Sequence, residues 1–213
     1  MVVIGITGGI GAGKGLATEF FRARGAAIID ADQVSRDLAK PGSEFLQRIA
    51  AAFGADVIRP DGTLDRERLG RVVFGDPQAL ATLNRITHPP IMAEIQRRLD
   101  ELRGKGCVRV ACVVAPLLIE AGGRQQVDRV LLVVADEEER VRRVMARDGI
   151  GEEQVRRRMA AQMPTDRLRR HADWVVDTTA GREAAREQLE AVWAQIAALA
   201  GECLPERGRD CRA

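Results

Sequence analysis

The 213-residue sequence has no apolar run approaching the ~20 residues of a membrane-spanning helix, so no membrane partner is expected. It also has no excess of either charge. Charged residues make up 30% of the chain, yet 33 basic and 31 acidic side chains leave a net charge of only +2. That balance argues against a nucleic-acid partner held by bulk charge, and any anion site must be local. The N-terminus enters a strand-like run with no signal peptide ahead of it. The cysteines follow neither metal nor disulfide spacing. Cys107 and Cys112 lie in a hydrophobic strand run, and Cys203 and Cys211 lie near the end. A reduced, cytoplasmic protein is the expectation. Internal repeats are absent too. Asparagine occurs once, at Asn84, which removes the Asn-Lys-x-Asp guanine motif of a GTPase.

What is present alternates between strands and helices. Val2 to Thr7 (VVIGIT) is a short continuous apolar run, as expected of a strand buried on both faces of a parallel sheet. Leu16, Ala17, Phe20 and Phe21 mark the apolar face of a helix that Gly25 ends. Runs at 26–30, 108–115 and 129–135, with a shorter one at 174–177, supply four more strands. Five such runs separated by helices predict a doubly wound parallel sheet of the α/β class. Between the second and third strands, some seventy residues read as helices: around Phe45 to Phe53, Arg66 to Phe74, Pro77 to Ile86 and Ile91 to Leu102. Arg59 to Thr63 (RPDGT) is a turn by its Pro-Asp-Gly chemistry. A crossover of that length predicts an inserted helical subdomain. The final helix, from about Arg182 to Ala200, carries Ala185, Leu189, Val192, Trp193, Ile196 and Leu199 on one stripe, and a polar tail follows Gly201.

Three stretches carry chemistry. The first, GITGGIGAGKGLATEF at 5–20, has the spacing Gly8-x4-Gly13-Lys14 of a phosphate-cradling loop between a strand and a helix. Glycines let backbone N–H groups turn toward phosphate oxygens, the following helix presents its positive end, and Lys14 reaches the β- and γ-phosphates. The motif calls for Ser or Thr after the lysine as a magnesium ligand, and this chain has Gly15. The second stretch is Asp30 and Asp32 at the carboxyl end of the second strand, where ligands bind in open α/β sheets. Asp32 can accept a hydroxyl proton or help to hold magnesium, or it can cap the helix starting near Gln33. The third is the segment 136–148. Asp136 can cap its helix, three glutamates fill the first turn, and Arg140, Arg143 and Arg147 share one stripe. Such arginines form a solvated salt-bridged face or clamp phosphates.

Taken in order and spacing, TGGIGAGK, IDAD, DGTLDRERLGRVVF, LNRITHP, PLLIE, the arginine helix and ADWVVD resemble the dephospho-CoA kinase family from residue 2 to about 200. The resemblance implies a P-loop kinase that moves the γ-phosphate of ATP, with Mg2+, to the ribose 3′-hydroxyl of dephospho-CoA. It implies ATP contacts from Gly11, Ala12, Gly13, Lys14, Gly15, Leu16 and Arg147. Lys14, Asp32 and Arg143 take the catalytic positions, with Asp32 at the metal directly or through water. Thr7, Asp32, Arg36, His88, Pro89, Leu117 and Glu120 fall on the acceptor side, although His88 can equally end a helix and merely pack. The implied layout is a core of 1–32, 104–136 and 166–200, an acceptor-binding insert at 33–103, a lid at 137–165 and a disordered tail at 201–213. A monomer or weak homo-oligomer without nucleic acid completes the expectation.

The chain departs from the family pattern at three places. Gly15 and Leu16 replace the usual Ser-Thr, and Val114 stands where many members have an aspartate. Asp177 to Gly181 (DTTAG) replaces an asparagine-bearing turn near the adenine end. A Lys-Gly pair also occurs in adenylate-kinase-type loops, so a nucleoside monophosphate kinase is the alternative within the fold. A nucleotide-binding switch without transfer chemistry is the alternative outside it. The LDRERLGRVVF, LNRITHP and PLLIE stretches resemble dephospho-CoA kinases and not the former, and the acceptor-sized insert has little use in the latter.

Overall fold

A computed structural model of the chain describes residues 1–73 and 75–202. Phe74, expected to end a helix, lies outside these residues, as do 203–213 with most of the expected tail. The described chain runs β1 (Val2–Thr7), α1 (Lys14–Ala23), β2 (Ala27–Asp30), α2 (Ala31–Leu38), α3 (Glu44–Phe53), α4 (Arg66–Val73) and α5 (Pro77–Lys105). It continues with β3 (Val110–Val114), β4 (Arg129–Val134), α6 (Glu137–Asp148), α7 (Glu152–Ala160), α8 (Thr165–Arg169), β5 (Trp174–Asp177) and α9 (Arg182–Glu202). No helix among the described residues is long and apolar enough to cross a membrane. The residues form two compact units, Met1–Ile29 with the described part of Arg98–Ala213, and Asp30–Arg97.

The first unit is built on the sheet, whose order is β2-β3-β1-β4-β5. β1 lies at the centre, parallel to β3 through Val2↔Val110 to Ile6↔Val114 and to β4 through Ile4↔Arg129 to Thr7↔Leu132. All six residues of β1 and all five of β3 are buried, which is why these strands read as unbroken apolar runs rather than alternating ones. One cluster joins the sheet to α1 and α9, with Phe21, Leu189 and Ile196 wholly buried. Removing each such side chain from water stabilises by ~1.5–3 kcal/mol. A second cluster joins Leu132 and Val134 of β4 to Leu168 of α8. α9 extends to Glu202, slightly past its expected end.

The second unit is helical, with Phe45, Leu46, Ile49, Val57, Leu69 and Val73 at its core. Ser43 caps α3, its hydroxyl accepting Leu46 N–H at 3.3 Å. The RPDGT turn forms as expected. Arg59 N–H donates to Thr63 O at 2.8 Å, while Asp61 accepts from both the Thr63 amide and hydroxyl. Those bonds hold the Asp61 carboxyl below its usual pKa.

One expectation is corrected here. Instead of two helices separated at His88-Pro89-Pro90, residues 77–105 form the single 29-residue helix α5, with both prolines inside it. His88 therefore terminates no helix. An internal proline costs ~3 kcal/mol by removing an N–H and crowding the preceding turn. Leu80, Leu83 and Ile86 before the prolines and Ile91 after them pack on the same cluster. Shared burial on both sides outweighs the local penalty.

Candidate active site

The loop after β1 is shaped by close approach. A Cβ at Gly11 would sit 2.6 Å from Arg140 O, so α6 packs directly on the loop backbone. Gly13 has φ 90°, and a Cβ there would sit 3.0 Å from Thr178 Oγ1. Only glycine satisfies both the backbone and the space at these positions. Lys14 opens α1, and its Nζ donates to Gly8 O at 2.7 Å and Gly9 O at 3.1 Å. The ammonium is thus held over the loop by the carbonyls of the segment that would cradle phosphate. Ala12 is buried, Leu16 packs on the core, and Gly15 is exposed with open space where a side chain would project.

The arginine stripe divides into different roles. Arg140 Nε donates to Ile10 O at 2.9 Å, and its half-buried guanidinium is pulled below its usual pKa by desolvation, partly offset by Glu137. Arg143 binds Glu139 Oε1 through Nε at 2.7 Å, Thr178 Oγ1 through Nη1 and Thr178 O through Nη2, both at 2.8 Å. Arg142 and Arg143 together depress the Glu139 carboxyl. Arg147 pairs with Asp148 at 2.6 Å, further along α6, and Asp148 also takes Arg158. Asp136 occupies the position before α6, but its side chain makes no capping bond, so the expected cap is corrected. Its own N–H donates to Thr179 Oγ1 at 2.9 Å, which orients this residue from the β5 end. The segment from α6 to Met163 rests on the loop. Val141, Val144 and Val155 enclose Ile10 with Ile150 and Met159, and Gln162 Oε1 accepts Ile10 N–H at 2.8 Å.

Other predicted residues of this unit lie at the strand ends. Thr7 is fully buried, its hydroxyl donating to Pro116 O at 3.4 Å. Leu117 and Glu120 follow β3. Glu120 Oε1 accepts Met163 N–H at 3.1 Å, and Oε2 is buried with no hydrogen-bond partner among the described residues. Val114, in the departure from the family pattern, is 7% exposed and closes β3. Among the described residues Cys107 is an exposed free thiol, and burial pushes the Cys112 thiol up to about 12.

In the helical unit, the two aspartates separate cleanly. Asp30 caps α2, its Oδ1 accepting Asp32 N–H at 2.8 Å and Gln33 N–H at 3.4 Å. Asp32 is the second residue of α2 and is exposed, so the capping alternative for it is overturned. Capping requires the residue before the helix, and α2 begins at Ala31. Arg36 donates to Gln33 Oε1 at 3.1 Å. Pro89 lines a groove of about 450 Å³ with Arg48, Ala51, Ala52, Arg85, Ile86 and Pro90. Among the described residues no His, Cys, Asp and Glu side chains gather as a metal site.

Residues that sequence reasoning missed are Thr178 and Gln162, which touch the loop from 166 and 152 positions away. Arg140 was visible only as one member of a charged stripe.

A parallel five-stranded sheet whose central strand feeds a Gly-x4-Gly-Lys loop, with Lys14 held on it and an arginine helix against it, defines a P-loop kinase. The chain matches the dephospho-CoA kinase family over residues 2–183 and belongs to that family. It is 43% identical over 196 residues to the dephospho-CoA kinase of Syntrophotalea carbinolica, covering 92% of each chain. The crystal structure of a Thermus thermophilus protein superposes with a TM-score of 0.74 at 35% identity, covering 91% of this chain and 97% of that one. The Campylobacter jejuni dephospho-CoA kinase shares the fold, with a TM-score of 0.66 at 24% identity over 91% of this chain and 96% of its own.

Proposed function

We propose that the chain transfers the γ-phosphoryl group of ATP to the ribose 3′-hydroxyl of dephospho-CoA, completing coenzyme A, in the cytoplasm and as a monomer or weak homo-oligomer. The observation that carries this is the loop with Lys14 held over it, in a chain that matches the dephospho-CoA kinase family across most of its length. In the transfer, a bond forms between the 3′-oxygen and the γ-phosphorus while the bond from that phosphorus to the β–γ bridging oxygen breaks, releasing ADP. Lys14 exchanges its carbonyl partners for the β- and γ-phosphate oxygens and stabilises charge as it shifts toward ADP. Asp32, whose cap role belongs to Asp30, takes the proton of the 3′-hydroxyl. Gly11 to Leu16 and Arg147 contact ATP, and Arg143 acts from α6. Thr7, Arg36, His88, Pro89, Leu117 and Glu120 serve the acceptor. The 33–103 insert carries the acceptor, and 137–165 is the lid.

Mg2+ suits what the chain offers. Gly15 supplies no side-chain oxygen, and the open space beside it admits water. Magnesium keeps several waters readily, so phosphate oxygens, waters and Asp32, directly or through water, make a sufficient set. When bound it neutralises charge on the β- and γ-oxygens.

The test is an acceptor panel with Mg·ATP in which dephospho-CoA, AMP, CMP, pantetheine and water compete. Dephospho-CoA is expected to be phosphorylated at its 3′-hydroxyl ahead of all others. Preference for AMP would overturn the assignment in favour of a nucleoside monophosphate kinase.

A further inference from the structure

Three consecutive carbonyl groups of the phosphate loop are held from one side. Arg140 Nε donates to Ile10 O at 2.9 Å, Arg143 Nη1 reaches Gly11 O at 3.4 Å, and Thr178 Oγ1 donates to Ala12 O at 2.9 Å. A trans peptide points its C=O and the next residue's N–H in opposite directions. The amides of Gly11, Ala12 and Gly13 therefore face away from α6 and Thr178. Lys14 marks the side they face. Ala12 N–H closes on Gly9 O at 3.2 Å, the same carbonyl that receives Lys14 Nζ. One residue earlier the sense reverses: Gly9 O faces Lys14, and Ile10 N–H turns outward to Gln162 Oε1.

We propose that Arg140, Gln162 and Thr178 are positioning residues for phosphoryl transfer, which hold the peptide planes of Ile10 to Gly13 so that the Gly11 and Gly13 amides are turned toward the phosphate side before the nucleotide arrives. The inference rests on the ATP-dependent reading above. Donors fixed in advance cost no reorganisation when charge arrives, which makes such a rim useful to a phosphate site. Thr178 suits the task because it is only 3% exposed and its hydroxyl both donates and accepts. Its single O–H is shared between Ala12 O at 2.9 Å and Val134 O at 3.2 Å, and its oxygen accepts Arg143 Nη1 at 2.8 Å. One hydroxyl thus ties the end of β4, the loop and the α6 arginine together. Arg140 forms no ion pair among the described residues, so its half-buried cation is spent on the loop carbonyl and adds positive potential beside the phosphate site.

The test uses ADP binding, which needs no acceptor and so stands apart from the identity of the substrate. Thr178→Val keeps the shape and removes the hydroxyl, whereas Thr178→Ser keeps the hydroxyl. Leaving Ala12 O and Arg143 without this partner should raise the Kd for ADP about tenfold or more in the valine variant. The serine variant should stay within about threefold of the parent. A purely structural role would lower the melting temperature without changing the stabilisation that saturating ADP adds. Parent-like ADP affinity in Thr178→Val, or equal loss in Thr178→Ser, overturns the proposal. Should the valine variant fail to fold, Arg140→Met decides on the same scale, and unchanged ADP affinity there overturns it.

Discussion

Restoring a hydroxyl at position 15 tests how the loop handles its metal. Gly15 is the second residue of α1, is exposed, and is not among the glycines with positive φ. A Cβ placed there meets nothing within 4 Å, so Gly15→Ser enters without strain. In a helix, serine is better than glycine by ~0.5 kcal/mol. For a chain of about 200 residues that corresponds to a rise of roughly 1–2 °C in melting temperature. The functional effect should be larger. A serine hydroxyl supplies a magnesium ligand that glycine cannot, replacing one water of the octahedral shell. The free Mg2+ giving half-maximal activity should fall by about threefold to tenfold, which corresponds to ~0.7–1.4 kcal/mol. The KM for dephospho-CoA should stay nearly unchanged, because position 15 belongs to the phosphate loop and not to the residues proposed for the acceptor. A coupled ADP-release assay over a free-Mg2+ series, run beside thermal melts of both proteins, reads all three quantities. Identical Mg2+ dependence in the two proteins would refute the reasoning, since the metal would then never use that position.

Lys14→Ala should leave the fold intact and lower kcat by ~10²-fold or more, because the transferring phosphoryl group loses its cation. An unfolded protein by circular dichroism, or a near-normal rate, contradicts this. The two aspartates should separate: Asp30→Ala removes the α2 cap at a cost of ~1 kcal/mol in stability, whereas Asp32→Asn should melt like the parent yet turn over about 10²-fold more slowly. Urea unfolding and steady-state kinetics on both variants settle which residue does which. Alkylation at pH 8 followed by peptide mass spectrometry should label Cys107 in the folded protein and spare Cys112, whose burial keeps its proton until about 12. The sign for stability follows, since the folded state holds that proton while the unfolded thiol ionises near 9.0. Cys112 therefore disfavours the folded state increasingly as pH rises above 9.0 toward about 12, and Cys112→Ser should flatten alkaline unfolding over that window.

Much of this protein is local and was open to reading along the chain. Apolar runs such as 2–7 and 130–134 declare strands covered on both faces, because burial on both sides leaves no polar alternation. The phosphate loop is equally local, since its glycine spacing and lysine act within one strand–turn–helix. Tertiary structure decided what local rules leave open. Pro89 and Pro90 break a helix by propensity, yet α5 runs through them because Leu80, Leu83 and Ile86 before them and Ile91 after them pack on one core. Asp30 rather than Asp32 caps α2, a choice that depends on where β2 stops and the helix begins. Arg143, placed by resemblance among the phosphates, lies against Thr178 and the loop because the end of β5 comes to rest there. Thr178 and Gln162 carried no spacing signal, for their partners in the phosphate loop stand more than 150 residues away in sequence. Side chains that act within one turn of backbone are written in the sequence. Those that act across the sheet gain their meaning only once the parallel strands set which loops meet.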